Sequence, residues 1–233
     1  MIWDTQATLD LVQKQFGRKQ RDAAYVCVSS VNQRVRYAAF HYATIEAELN
    51  AFQTKLGDRH LFEVSHGADD EQEEHDYYEF MDRVGAHAVA CVQSIHALED
   101  LLSAMVYRCL NLDTIGAALD EHQLSLQKTV TRLGHDPKYA KVMSLLQSLQ
   151  TDNSFAHVDA LSNKAKHSAI VRPWISQDQT GTRADPLLFF FGEFERRGTP
   201  YPQVTFKDVL VPALAFVART RTDIGIELTA LLT

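Results

Sequence analysis

Apolar side chains recur with a helical period through the first half of the chain. Val35, Tyr42, Leu49 and Leu56 stand seven residues apart, with Ala38, Ile45 and Phe52 between them. The pattern predicts a helix near 22–57, stopped by Gly57. A second pattern is longer. Tyr77, Val84, Cys91, Leu98 and Met105 form one line, and Met81, Ala88, Ile95, Leu102 and Cys109 form the adjacent line. Together they predict a helix near 72–111 with a seam of about five heptads. Two antiparallel helices inside a bundle are the simplest arrangement, and an intermolecular coiled coil is the alternative. Gly85 interrupts the seam and costs helix propensity, which points to a neighbour packed close against it.

Beyond Leu112 the elements shorten. A helix is expected from about Asp120 to Leu133. The turn Gly134-His-Asp-Pro137 places Pro137 at the first position of a helix near 137–150. Thr151-Asp-Asn-Ser154 ends that helix and caps the next, near 154–168. The period then changes. Ile170–Ile175 and Leu187–Phe194 are rich in strand formers and flank the ten-residue stretch 177–186, so strands are expected near 170–175 and 187–195, with a short third strand near Val204. Pro173 marks the first strand as an edge. Thr205-Phe-Lys-Asp208 resembles a capping box with Asp in place of Glu, and it opens a helix near 207–231 that carries Pro212 in its first two turns. The expected fold is mainly α, an antiparallel helical bundle of about five to seven helices in one domain over 1–233, with a β-hairpin inserted at about 169–205 before the C-terminal helix.

Composition narrows the functional classes. The 233 residues, 45% hydrophobic and 23% charged, are those of a globular protein. A net charge of −7 argues against nucleic-acid binding driven by overall charge, though not against a local basic patch. Cys27, Cys91 and Cys109 lie far apart in apolar helical contexts, as reduced buried thiols do. No continuous apolar run reads as a leader or a membrane span, so a cytoplasmic protein with no membrane contact is expected. The acidic run Asp69–Asp76 suits the start of a helix, where carboxylates meet the positive end of the macrodipole.

Several chemistries lack their motifs. Glu71, His75 and Glu79 are four apart, and His87, His96 and His122 follow, but there is no Glu-x-x-His in the long helix, no His-Glu-x-x-His and no Cys-x-x-Cys. No metal and no cofactor is expected. Phosphate-cradling glycine loops and a Gly-x-Ser-x-Gly elbow are missing too. Phe189, Phe190, Phe191 and Phe194 fit hairpin packing better than base stacking.

One stretch brings capable side chains together. Asp159, Asn163 and His167 are four residues apart on one helical face, with Ser162, Lys164 and Lys166 around them and Val158, Leu161 and Ala165 turned to a core. They are expected to line a polar groove where this helix meets the hairpin. Lys166 and His167 are also placed to donate to the last helical carbonyls. Ser162-Asn-Lys-Ala-Lys-His167 resembles the motif of the HEPN superfamily, all-helical domains of bacterial toxins, defence systems and stress proteins. That pattern is Arg, a polar residue often Asn, three further residues and His. The stretch is also similar to uncharacterised bacterial helical proteins with an Asn-x-x-Lys-His helix end before a β-hairpin.

The HEPN resemblance implies metal-independent RNA cleavage at a dimer cleft, with Asn163 and His167 as the matching catalytic positions. Ser162 stands where the family has Arg, and Lys164 or Lys166 would have to supply the cation. Three readings follow. The first is a non-catalytic interaction or ligand-binding module, with a homodimer, another protein or a small ligand bound through Asp159, Lys164 and Lys166. The second is an RNA-cleaving or nucleotide-binding protein using His167. The third is a metal-binding helical protein.

Overall fold

The structure is a computed structural model that describes residues 2–66, 71–180, 182, 183 and 185–233. Asp69 and Asp70 of the acidic run, and Gly181 and Ala184 of the predicted hairpin loop, lie outside the described residues. The chain is mainly α, with a small antiparallel sheet before the C-terminal helix. Its contacts divide it into two compact units, one of residues 1–36, 94–156 and 213–233, the other of residues 37–93 and 157–212.

The first unit begins with α1, Thr5–Phe16, which the sequence pattern did not reveal. The Asp4 side chain caps it by accepting from the Ala7 amide, and Gly17 ends it with a φ of 85°. Helix α2, Arg18–Leu56, contributes residues 18–36 to this unit. The predicted 72–111 helix is split at Ala97 into α4, Glu71–His96, and α5, Leu98–Cys109. Leu98, Leu102, Met105 and Cys109 of the predicted seam are fully buried. Over 120–133, Asp120 and Gln123 close a capping box on a single 3-10 turn, and Ser125 then caps α6, Leu126–Leu133. The helix therefore starts later than expected. Pro137 opens a 3-10 turn that leads into α7, Ala140–Thr151.

In the second unit, residues 37–56 of α2 run antiparallel to α4. Cys91 Sγ meets the Ala38 carbonyl at 3.4 Å, Arg83 Nε meets Glu48 at 3.2 Å, Phe52 stacks on Phe80 at 4.1 Å, and Lys55 Nζ meets Asp76 at 2.6 Å. Each step forward on α2 is a step back on α4, as the paired apolar patterns predict. The acidic start of α4 thus faces the end of α2, where Arg59 also pairs with Glu73. Short α3, Leu61–Ser65, is fixed by Gln177, which accepts from the Leu61 amide and donates to the Arg59 carbonyl.

The sheet order is β1 (Pro173–Gln177), β2 (Leu187–Phe191), β5 (Val204–Thr205), all antiparallel. Leu187, Phe189 and Phe191 alternate inward, while Phe190 stacks on Trp174 on the other face. Pro173 opens an edge strand, as predicted, and its ring packs on α4. A β-carbon on Gly85 would lie 3.2 Å from Pro173 Cγ. The strand starts at Pro173 and not at Ile170, which is exposed. The expected second strand, 187–195, also breaks. Beyond Gly192 the chain forms a separate hairpin of β3, Phe194–Arg196, and β4, Thr199–Tyr201.

Helix α9, Phe206–Leu232, follows. The Thr205 hydroxyl accepts from the Asp208 amide and donates to the Asp208 carboxylate. Asp, one methylene shorter than Glu, grips the hydroxyl of the cap residue. Pro212 lies inside the helix and not at its start.

One correction concerns the apolar stretch of α4 and α5. Glu71–Cys109 contains an 18-residue window of mean hydropathy 1.3, long and apolar enough by composition alone to cross a membrane, and half of that window is buried within the protein.

Candidate functional site

The stripe on α8, Asn153–His167, is held differently at its two ends. Val158 and Leu161 face the core, which leaves Asp159 and Asn163 half-buried on the opposite side. Asn163 Nδ2 donates to the Asp159 carbonyl at 2.9 Å and to its carboxylate Oδ1 at 2.7 Å. The other carboxylate oxygen, Oδ2, accepts from the Arg196 guanidinium of β3. This network ties the β3–β4 hairpin to the helix. Asp159 and Asn163 are therefore committed to holding the hairpin.

His167 is exposed, and its ring has no hydrogen-bond or ion-pair partner among the described residues. The helix end is closed by the backbone instead, since the Ser168 and Ala169 amides both donate to the Lys164 carbonyl, at 3.0 and 3.1 Å. This corrects the expectation that the His167 side chain caps the last carbonyls. A local backbone donor is cheaper to order than a long side chain.

A cleft of about 390 Å³ opens between this helix end and the hairpin. Asn163, Lys164, His167 and Ser168 line one side, and Glu195, Arg196 and Arg197 line the other. The predicted Asn163, Lys164 and His167 come together there. Asp159 lies behind them in the network, and exposed Lys166 is not part of the lining. Ser162 is fully buried, with no hydrogen-bond partner for its Oγ among the described residues. It lines a separate apolar recess with Leu161, Val89 and Phe191.

Arg196 and Arg197 were missed in the sequence because 187–195 read as one strand. The available signal was Gly198 between two aromatic-ended triplets, Phe194-Glu-Arg and Thr-Pro-Tyr201. Arg197 and Gly198 form the two-residue turn, with φ of 51° and 79°. Positive φ at both positions is the type I′ pattern, which favours Asn or Gly at the first. Arg there is strained by about 1 kcal/mol. Beneath the hairpin, His157 packs edge-on to Phe194 and Tyr201, its Nε2 buried without a partner among the described residues. Burial lowers its pKa.

Two other features of the second unit gather ionisable side chains. A pocket of about 300 Å³ is floored by Phe52, Leu56 and Phe80 and rimmed by Lys55, Arg59 and Arg83. All three cations are already paired, with Asp76, Glu73 and Glu48. On α2 and α4, His41 and His87 face each other with 3.0 Å between their Nδ1 atoms. The His75–Glu79 pair sits on the surface at 3.3 Å. Among the described residues, no three His, Cys, Asp or Glu side chains group closely enough to hold a metal ion.

No family model matches the chain, and neither a curated protein nor a solved structure is found to match it.

Proposed function

We propose that this protein is a non-catalytic ligand-binding module whose ligand is a nucleotide, held by its phosphate in the cleft between α8 and the β3–β4 turn. The observation that carries the reading is the convergence of Lys164, His167 and Arg197 on one cleft. Two cationic side chains and an imidazole offer N–H donors to a phosphate from both sides of the cleft. The Asp159–Asn163–Arg196 network fixes the hairpin against the helix, so the two walls that carry these donors are set before the ligand arrives. Arg197 occupies a backbone conformation that disfavours it, a cost often found where a side chain serves binding. Glu195 in the same lining suits a ligand with a hydroxyl or amine near its phosphate, as a nucleotide has. The net charge of −7 makes the attraction local, which fits a small anion better than a long nucleic acid.

A second reading is metal-independent RNA cleavage. It is favoured by the exposed, unpartnered His167 sharing a cleft with Glu195, which supplies both an acid and a base. The cation that the HEPN-like motif lacks at Ser162 would then come from Arg197.

Calorimetry with adenosine 5′-monophosphate, inorganic phosphate and adenosine separates these readings. Binding of the two phosphates but not of adenosine, weakened at least tenfold in Lys164→Ala and Arg197→Asn, is expected. Absence of binding, or binding unchanged in both variants, overturns the proposal. Cleavage of single-stranded RNA in the presence of a chelator, lost in His167→Ala, would make the second reading the better account.

A further inference from the structure

Histidines 41 and 87 are separated by 46 positions, yet their rings meet across the antiparallel α2–α4 pair with Nδ1 atoms 3.0 Å apart. The ring centroids are 5.2 Å apart and the planes are inclined by 49°. We propose that His41 and His87 form a two-histidine clamp for a divalent transition metal, Zn²⁺ above all, which staples α2 to α4.

The geometry is close to that of a bound pair. Two nitrogens on one tetrahedral zinc at about 2.0–2.1 Å lie roughly 3.3–3.4 Å from each other. To share one ion the two Nδ1 atoms must part by a few tenths of an ångström, and the rings, whose nitrogens now point at each other, must turn so that both lone pairs converge. Neither nitrogen has another partner among the described residues, so nothing must be broken except the bond they share. Without metal, one Nδ1–H donates to the other Nδ1. On binding, zinc replaces that proton, and the ring that loses it takes one from solvent at Nε2, so both imidazoles stay neutral.

The surroundings admit a dication. Arg83, one turn from His87, is neutralised by Glu48 at 3.2 Å and Glu79 at 3.6 Å. Burial, and then the neighbouring His87, lower the pKa of His41. Phe40 lies edge-on to both rings, at 5.4 and 6.3 Å. With no third protein ligand in reach, water completes the tetrahedron. Imidazole donors select Zn²⁺, Ni²⁺ or Cu²⁺ over Mg²⁺ and Ca²⁺, which take oxygen ligands.

The test is zinc titration of the full chain by calorimetry at pH 7.5, with His41→Gln and His87→Gln checked for folding by circular dichroism. One zinc per chain is expected, bound at least tenfold more weakly in each variant and unaltered in His75→Gln and His167→Ala. Nitrogen NMR of the wild-type imidazoles supplies an independent readout, with the Nδ1 resonances of His41 and His87 moving together as zinc is added. Zinc affinity unchanged in either clamp variant, or imidazole shifts confined to other histidines, overturns the clamp. Absence of zinc binding by the wild type at millimolar metal overturns it equally.

Discussion

The indole of Trp3 occupies the space beside Gly225 where any larger residue would place its β-carbon. An ideal Cβ there would stand 2.0 Å from Trp3 Cδ2. Trp3 is buried, donates from Nε1 to Thr8 Oγ1 at 2.8 Å, and lies under the Arg221 guanidinium. Glycine inside α9 sacrifices about 1 kcal/mol of helix propensity, and the close approach of the indole is the return. Gly225→Ala recovers that propensity but must expel a ring whose burial is worth several times as much. A net loss of about 2 kcal/mol is expected, read as a lower denaturant midpoint with an unchanged slope. An equal or higher midpoint would show that the indole is not held there.

Cys91 and Cys109 are fully buried, and burial pushes both thiols up to about 12. Cys27 is half-buried and raised to a lesser degree. Under native conditions at pH 8, a thiol reagent should label Cys27 first, with Cys91 and Cys109 reacting only after denaturant is added. Rapid native labelling of either buried thiol would contradict the packing of the seam.

The elements legible in the sequence are those whose signal is local. The two apolar lines of α4 and α5, the cap at Asp152 that accepts from the Phe155 amide, and the inward alternation of β2 all reside within a few residues. The i, i+4 spacing likewise placed Asp159 and Asn163 on one helical face, where the structure joins them by a hydrogen bond. What escaped is non-local. Helix α1 has only Thr8, Leu9 and Val12 as a buried face, and Thr8 bonds to Thr229 at the other end of the chain. Arg196 reaches Asp159 across 37 positions, and His41 meets His87 across 46. Nothing in the spacing of such residues encodes their meeting, which depends on the hairpin and on the helix register.

Asp159 and His167 should respond in opposite ways to removal of their side chains. Asp159→Ala breaks the charge-assisted bond to Arg196 and removes the carboxylate that accepts from Asn163. Allowing for their partial exposure, a loss of about 1–2 kcal/mol is expected. His167→Ala removes an exposed ring without a partner and should change stability by less than about 0.5 kcal/mol. Equal effects of the two substitutions in chemical denaturation would refute the division between support and site.

Mild acid should weaken the fold through two half-buried histidines. The pKa values of His41 and His157 are both lowered from 6.5, the first by burial and then by His87, the second by burial. A depressed folded pKa means that the unfolded chain binds more protons. The contribution of these rings is thus complete above pH 6.5 and is lost as pH falls through their lower folded values. The slope cannot exceed about 1.4 kcal/mol per pH unit for each proton taken up on unfolding. Denaturation midpoints measured from pH 7.5 to 5.5 should decline, and less steeply in His157→Phe, which also removes the unpartnered Nε2. A slope identical in wild type and variant would remove His157 from the account.

Arg197→Asn is expected to raise stability and lower ligand affinity at once. The turn requires positive φ at both central residues, and Asn-Gly satisfies that requirement better than Arg-Gly. Relief of the left-handed strain should stabilise the hairpin by about 0.5–1 kcal/mol. The same change takes a guanidinium away from the cleft that also holds Lys164 and His167. If Arg197 were only a turn residue, the variant would be more stable and bind inorganic phosphate as the wild type does. A higher denaturation midpoint together with a tenfold weaker phosphate affinity is the outcome that a binding role demands. A lower midpoint would show that the Arg197 side chain contributes to the fold in a way that outweighs its backbone strain.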